Sequence, residues 1–333
     1  MGNDNSEFGS ISWHAIEYFR DEPPPASYRA VRALTLALAL SSTLFSGTFA
    51  IIVTLRVREL RHASVGCASY RIAWWIRSNL LFEFVAGVLT LSMLASSTDT
   101  EVGRQVCFVS ARLSGAFYVL GAWASYKVLL ERARISLHAG SPTSQRLFRA
   151  CHFVNRYSVP ALAIAVPILF RPAYLFESEC AVIARASLLW MFLVADSSLS
   201  LVLLAIFISP LLRHYREMQR IDDQQGSSAK LRAEAHVMFC MVKRDLKFGS
   251  IQVLSTFLIM MNGAVLASTV SMTRDLAFVR VVDLTGYVLD MIVNANTLLA
   301  ISKAWRPVEF FKGRSRISPA NTHVPPAISA QPE

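Results

Sequence analysis

Long apolar runs separated by polar connections dominate the chain. A helix needs about 20 mostly apolar residues to cross the hydrocarbon core of a bilayer. Seven stretches fit this description, at residues 33–55, 72–96, 106–130, 153–170, 186–212, 248–273 and 281–302. The fourth is the weakest because it is short and contains Pro160 and Pro167. The pattern predicts an all-α membrane protein built as a seven-transmembrane helix bundle.

Basic residues lie mostly on one side of this predicted bundle. The connections after the first, third and fifth spans, together with the tail after the seventh, hold 22 Lys and Arg, against eight on the opposite side. Basic loops stay in the cytoplasm, so the N-terminus is predicted outside and the C-terminus inside. This gives an extracellular tail at 1–32, a bundle at 33–304 and a cytoplasmic tail at 305–333. A candidate amphipathic helix lies at 307–313.

Composition supports a membrane environment and narrows the function classes. Apolar residues make up 53% of the chain and charged residues 17%, with a mean hydropathy of +0.41, whereas soluble domains carry about a quarter charged residues. The net charge of +10 comes with no basic, aromatic-interleaved soluble domain, so nucleic acid is not expected as a partner. Metal-ligand clusters, nucleophile motifs and phosphate-binding loops are missing from the sequence. We therefore predict no enzyme activity, no metal and no cofactor, with the plasma membrane as default location and an internal membrane as the alternative.

The five cysteines divide by predicted compartment. Cys107 opens the third span on the outer side and Cys180 lies in the next outer connection, whereas Cys67, Cys151 and Cys240 fall in cytoplasmic connections. Only the first two face an oxidising environment, which favours a disulfide between them. The alternative is that both are unpaired small apolar residues.

Ionisable residues inside a membrane are costly, and by default they are candidates for function. Asp283 and Asp290 share one face of the seventh span with Asn294, and Glu83 lies in the second span. Together they are predicted to form a polar core that links these two helices. Arg112 and Asp283, both in the outer third, are expected either to pair with each other or to contact a charged ligand.

The third span also carries a pair of charged residues at its inner end. Arg132 follows Cys107 by 25 residues, roughly 37 Å of helix, which is enough to cross the hydrocarbon core. With Glu131 before it, this arrangement resembles the rhodopsin-like branch of the G-protein-coupled receptor superfamily. That branch has a helix-3 cysteine bridged to the second outer loop and a Glu/Asp-Arg pair at the inner end of helix 3.

Other positions depart from this pattern, so the resemblance would place the chain in a divergent, orphan branch. Ala133 follows Arg132 in place of the usual Tyr, and residues 294–296 read Asn-Ala-Asn where Asn-Pro-x-x-Tyr would stand. The chain is also similar to seven-helix proteins of fungi and protists, with Asp196 in the fifth span ahead of Phe-Ile-Ser-Pro-Leu at 207–211. From the residues alone, Asp196 is expected to hydrogen-bond a neighbouring helix.

The resemblance implies signal transduction from an unknown extracellular or membrane ligand to a cytoplasmic G protein or other signalling protein. Arg132 would pair with Asp245 in the resting bundle, and release of that pair would free it for the partner. The simpler interpretation makes Arg132 and Arg134 positive anchors at a helix end. Two other functions stay open: a transporter or channel lined by the intramembrane carboxylates, and a membrane scaffold that does not signal.

Overall fold

The protein is largely helical, and three of its helices are long and apolar enough to span a membrane. The computed structural model describes residues 16–18, 26–62, 67–97, 99–136, 142–169, 171–175, 179–183, 186–225, 243, 246–247, 249–258, 261, 265 and 274–301. The three long apolar helices are α1 (Ala26–His62), α2 (Cys67–Ala95) and α3 (Glu101–Ser136). The prediction of a membrane protein built from apolar helices is thus confirmed. The number of seven spans and their orientation stay predictions.

Local chemistry explains where α3 begins. Thr100 precedes the first helical residue, and its Oγ1 accepts a hydrogen bond from the amide of Gly103 at 3.0 Å. A hydroxyl at this position satisfies one of the amides that have no partner in the first helical turn. Glu101 adds a negative charge in that turn, which the helix dipole favours.

Four further helical segments complete the described part of the bundle: α4 (Pro142–Leu169), α5 (Ala186–Gln225), α6 (Gly249–Leu258) and α7 (Arg274–Ile301). The first begins with a proline, a residue well suited to that position, and keeps Pro160 and Pro167 inside the helix. Shorter apolar stretches lie at Trp190–Ile206 in α5 and Gly249–Leu258 in α6. The helix α5 ends at Gln225, well beyond the predicted span at 186–212.

A small sheet, which was not predicted, covers the end of the bundle where α3 begins. It contains β1 (Ile16–Tyr18), β2 (Arg171–Leu175) and β3 (Glu179–Ile183), in that spatial order. The strands β2 and β3 form an antiparallel hairpin, and β1 pairs with β2 in parallel. The fold is otherwise helical, as predicted, and the sheet adds strands in the connection between α4 and α5 and in part of the N-terminal tail.

The third helix is the structural centre. It packs against α2, α4, α5 and α7 and also contacts β2 and β3. One apolar cluster joins it to α4 and α5 through side chains such as Tyr126, Val166 and Leu203. A second joins α1, α2, α3 and α7 through Ile76, Val128 and Leu298.

The outer surface of the bundle is apolar, as expected for helices that are surrounded by lipid. Ile51 on α1, Ile164 on α4 and Val194 on α5 are 65%, 73% and 62% exposed. Aliphatic groups on so much of the surface are unfavourable in water and favourable against acyl chains. This surface supports the assignment of membrane-spanning helices.

Candidate functional site

A hydrogen-bond network centred on Asp290 joins three helices in the middle of the bundle. The Asp290 side chain is 1% exposed. Its Oδ1 accepts a bond from Thr256 Oγ1 on α6 at 2.8 Å, and its Oδ2 accepts one from Asn294 Nδ2 on α7 at 2.8 Å. The Tyr118 hydroxyl on α3 also donates to Oδ2. This carboxyl group is therefore the point at which α3, α6 and α7 meet.

A second contact fastens α7 to α3 one turn away. The Tyr287 hydroxyl donates to the backbone carbonyl of Ser114 at 2.9 Å. Its ring lies 4.7 Å from that of Tyr118, centroid to centroid. The two rings are tilted by 44° to each other, and each hydroxyl group bonds to the helix that carries the other tyrosine.

Glu83 brings a second buried acid to the same region. It lies on α2 and is 4% exposed, and its carboxyl group interacts electrostatically with Asp290. Among the described residues, its Oε2 has no hydrogen-bond partner. One turn earlier, Asn79 Nδ2 donates to the Gly121 carbonyl and to Ser125 Oγ, each at 2.9 Å. These bonds fix α2 against α3 beside Glu83.

Gly121 allows this close approach of α2 and α3. A Cβ atom at that position would lie 3.5 Å from Glu83 Cγ and 3.7 Å from Asn79 Nδ2. Both distances are ordinary van der Waals contacts, so a methyl group would just fill the space between the helices.

At one end of α3 the predicted disulfide is present. Cys107 and Cys180 are bonded, with their Cα atoms 5.7 Å apart. Both are buried, in a cluster with Met93 and Ala111. Because Cys180 lies in β3, the bond attaches the sheet to the bundle. We call this the Cys107 end of α3.

Arg112 lies one turn further along α3 from this disulfide. It is 8% exposed, and its guanidinium carbon lies 4.1 Å from the centroid of the Phe108 ring. The predicted alternative partner, Asp283, belongs to α7, but its side chain lies outside the described residues. The proposed pairing of Arg112 with Asp283 therefore stays a prediction.

At the opposite end of α3, which we call the Arg132 end, Glu131 bonds to a neighbouring helix. Its Oε2 accepts from Arg71 Nε on α2 at 2.9 Å. Arg132 is the next residue and its side chain is partly buried. Asp245, its predicted partner in the resting state, lies outside the described residues, as does the candidate tail helix at 307–313.

A scan against protein-family models and a search of curated proteins found no match to the chain.

Asp196 bonds across helices, the role expected for it. The Tyr126 hydroxyl on α3 donates to its Oδ1. This contact fastens α5 to α3 eight residues after the Tyr118 contact with α7. The two acids thus hold different helices against the same face of α3.

Sequence reasoning missed the α3 side of these contacts. Four small or hydroxylated residues form a stripe along that helix: Ser114, Tyr118, Gly121 and Ser125. Their separations of four, three and four residues place them on one helical face. This spacing is a signal that could have been read from the sequence. Thr256 on α6 carries no comparable signal.

Within the described residues, no group of three or more His, Cys, Asp or Glu side chains is arranged to hold a metal ion. What the site offers is two interacting buried acids and a set of hydroxyl and amide donors. Such a network can hold helices in one arrangement, and a change in its protonation or hydration would alter that arrangement.

Proposed function

We propose that the chain is a seven-helix signalling protein that resembles a G-protein-coupled receptor, with an N-out, C-in topology in the plasma membrane. An unidentified ligand outside, or in the outer leaflet, would bias the bundle. The Arg132 end would then present a cytoplasmic surface to a G protein or another signalling protein. The observation that carries this proposal is the network around Asp290, which joins α3, α6 and α7 through one carboxyl group.

A two-state signal needs an element whose packing has two discrete arrangements. The network supplies one candidate, because moving α6 breaks the Thr256 bond while the Tyr118 and Asn294 bonds stay in place. The disulfide at the Cys107 end ties the sheet to α3, so a ligand that moves the sheet acts directly on that helix. Arg132 lies at the far end of the same helix, where a partner would bind.

The test compares Arg132→Ala with Arg134→Ala. Both substitutions remove one positive charge at the same helix end, and Arg134 is an exposed residue of α3. Membranes containing each variant at equal surface expression are mixed with a panel of purified Gα subunits, and basal nucleotide exchange is measured. We expect exchange above that of empty membranes for the native chain and for Arg134→Ala, but not for Arg132→Ala.

Two results would count against the proposal. Equal exchange in both variants would make Arg132 an anchor rather than a coupling residue. Exchange no higher than in empty membranes for the native chain with every Gα subunit would exclude G proteins of that panel as partners.

A second candidate function rests on Glu83. A buried membrane carboxyl group with an oxygen that has no partner among the described residues is costly unless a proton, water or cation compensates it. Glu83 and Asp290 would then lie on an ion path, as in a transporter or channel. Cation or proton flux into proteoliposomes that is lost in Glu83→Gln and kept in the exposed control Asp99→Asn would favour this function over signalling.

A further inference from the structure

A patch of aromatic and basic side chains lies where α2, α3 and α4 meet, near the Arg132 end. We define this basic–aromatic patch by Trp75, Trp123, Lys127, His152 and Arg156. None of these residues takes part in the network around Asp290. The patch is therefore separate from the site already described.

Two indole rings surround the lysine. The Lys127 Nζ lies 5.9 Å from the centroid of the Trp75 ring and 5.8 Å from that of Trp123. The two rings meet edge to face with centroids 5.1 Å apart. Trp123 is further fixed by a 2.8 Å bond from its Nε1 to the Asn155 carbonyl on α4. The ammonium group is thus held in place by cation–π contacts.

Two cations of the patch, Lys127 and Arg156, have one neighbouring acid, Glu131, which attracts Lys127. Among described residues, no carboxylate forms an ion pair with Lys127 or Arg156, and the nearest acid in sequence, Glu131, is bonded to Arg71 at 2.9 Å. Lys127 and Arg156 are close enough to repel each other. Because Glu131 is already bonded to Arg71, the two cations keep a net positive charge, which favours an anion.

The behaviour of His152 supports the same conclusion. Partial burial lowers the pKa of this imidazole below its ordinary value of 6.5, and the positive charges of Lys127 and Arg156 lower it further. Arg134 acts in the same direction, and Glu131 opposes it. A histidine whose protonation is suppressed by three neighbouring cations reports a positive field at this surface.

The depth of the patch matches the level of lipid headgroups. Lys127 follows Cys107 by 20 residues, which is about 30 Å of helix and close to the thickness of the hydrocarbon core. Tryptophan and lysine side chains are enriched at this level in membrane proteins.

An apolar stripe continues from the patch along α4 toward the bilayer centre. Phe153, Tyr157 and Ile164 are 63%, 54% and 73% exposed, and Ile168 is 48% exposed. Their spacing of four, seven and four residues places them on one side of the helix. A ligand with a phosphate at the patch and acyl chains along this stripe would satisfy both surfaces, which a free phosphate ion would not.

We propose that the basic–aromatic patch binds the phosphate of an anionic phospholipid in the leaflet at the Arg132 end, with its acyl chains along the exposed stripe of α4. Under the proposed topology this is the cytoplasmic leaflet, which is rich in anionic lipids. The site itself does not depend on whether the chain signals.

The test measures lipid retention on the full-length chain. The protein is purified in detergent and titrated with phosphatidylglycerol, and bound lipid is counted by native mass spectrometry. Lys127→Gln and Arg156→Gln are compared with Arg58→Gln, which removes an exposed charge from α1. We expect each patch variant to weaken binding roughly fivefold and Arg58→Gln to have no effect. Lys127→Arg should restore binding, since it keeps the charge, and this variant separates charge from folding.

A second measurement does not require a variant to fold. Phosphatidylglycerol with brominated acyl chains should quench the tryptophan fluorescence of the native chain more strongly than brominated phosphatidylcholine at the same mole fraction. Equal quenching by the two lipids, or equal retention by the patch variants and Arg58→Gln, would overturn the proposal. Complete displacement of the lipid by inorganic phosphate would show a free-anion site, and would overturn it too.

Discussion

Removing the carboxyl group of Asp290 tests whether the network around it holds the bundle together. Asp290→Ala deletes the acceptor of three hydrogen bonds, from Tyr118, Thr256 and Asn294. Hydrogen bonds between membrane helices contribute on average ~0.6 kcal/mol each, and the bond from Asn294, which lies within α7, is given a similar value at the lower end of the ~0.5–1.5 kcal/mol typical of hydrogen bonds in folded proteins. The expected loss is therefore about 2 kcal/mol of unfolding free energy, since ~0.6 kcal/mol is lost three times.

Asp290→Asn provides the matched comparison. The amide oxygen can still accept from Thr256, and the Tyr118 hydroxyl can turn to accept from the amide nitrogen. The bond from Asn294 is lost in its present orientation, because two amide donors would face each other, and it is restored if that amide turns so that its Oδ1 accepts from the new amide nitrogen. We expect a loss of at most about 0.6 kcal/mol for this variant.

Unfolding is followed by the reaction of a thiol-specific fluorophore with Cys151 during heating. This cysteine is 6% exposed, so it becomes reactive only when α4 separates from the bundle. Cys67 and Cys240 are replaced by Ser so that they do not contribute. A loss of 2 kcal/mol should lower the apparent Tm by roughly 4 °C, and Asn296→Ala, which removes an exposed amide from the same helix, should leave it nearly unchanged.

An Asp290→Ala variant as stable as the native chain, or more stable, would contradict this expectation. The desolvation cost of the buried carboxyl group would then outweigh its three bonds. Asp290 would be retained for function at the expense of stability.

Three further predictions concern other parts of the chain. Replacing both Cys107 and Cys180 by Ser opens a loop of 73 residues, and the chain-entropy relation gives a loss of about 4 kcal/mol of unfolding free energy. The same thermal assay should show a larger fall in Tm than for Asp290→Ala. An unchanged Tm would mean that packing alone holds the sheet. Gly87→Ala should destabilise the chain by about 1–3 kcal/mol, because the new Cβ would lie 2.3 Å from Thr43 Oγ1. Gly121→Ala should be tolerated, because the nearest contact of its new Cβ would be 3.5 Å away. Equal melting temperatures for the two variants would contradict this packing. His152 should titrate below 6.5, since burial and its basic neighbours lower its pKa. The unfolded chain then binds more protons than the folded chain, so stability is lost as pH falls below 6.5. NMR titration should show that the pKa of His152 rises in Lys127→Gln, and an unchanged pKa would argue against the proximity of the two groups.

The apolar pattern predicted the helices well because burial in lipid demands long runs without charge. The predicted spans at 33–55, 72–96 and 106–130 each fall almost wholly within an observed helix. The observed helices extend further into polar sequence, such as the acidic start of α3, because a helix can continue beyond the hydrocarbon core of the bilayer. Hydropathy measures the apolar part of a helix and carries no information on its polar extensions.

The hairpin of β2 and β3 was missed because its sequence signal is short. The hairpin comprises only 13 residues, from Arg171 to Ile183. Its paired positions Tyr174 and Cys180 lie in a segment that hydropathy identifies only as a connection between two apolar spans. The pairing of β1 with β2 depends on contacts between segments more than 150 residues apart. No local pattern specifies such a contact.

The candidate site was predicted in part. The acids on α2, α5 and α7 could be found because a charge inside an apolar run is conspicuous. The spacing along α3 marks a polar face that includes Tyr118, but the partners of the acids, Tyr118 and Tyr126, were not assigned, because only helix packing decides which acid each tyrosine meets. Asp245 and the Asp283 side chain lie outside the described residues, so the roles predicted for them stay predictions.

The pairing of β1 with β2 also limits how the chain can be threaded through a bilayer. Two strands that share backbone hydrogen bonds must lie on the same side of the membrane, so the chain crosses an even number of times between Tyr18 and Arg171. If α1, α2 and α3 each cross once, the parity rule requires α4 to cross as well, despite its two internal prolines. The disulfide between Cys107 and Cys180 also places its two cysteines on the same side of the membrane, so α3 and α4 together must cross an even number of times. A tag placed between α3 and α4 and another placed after α4 should therefore be accessible from opposite faces of the bilayer.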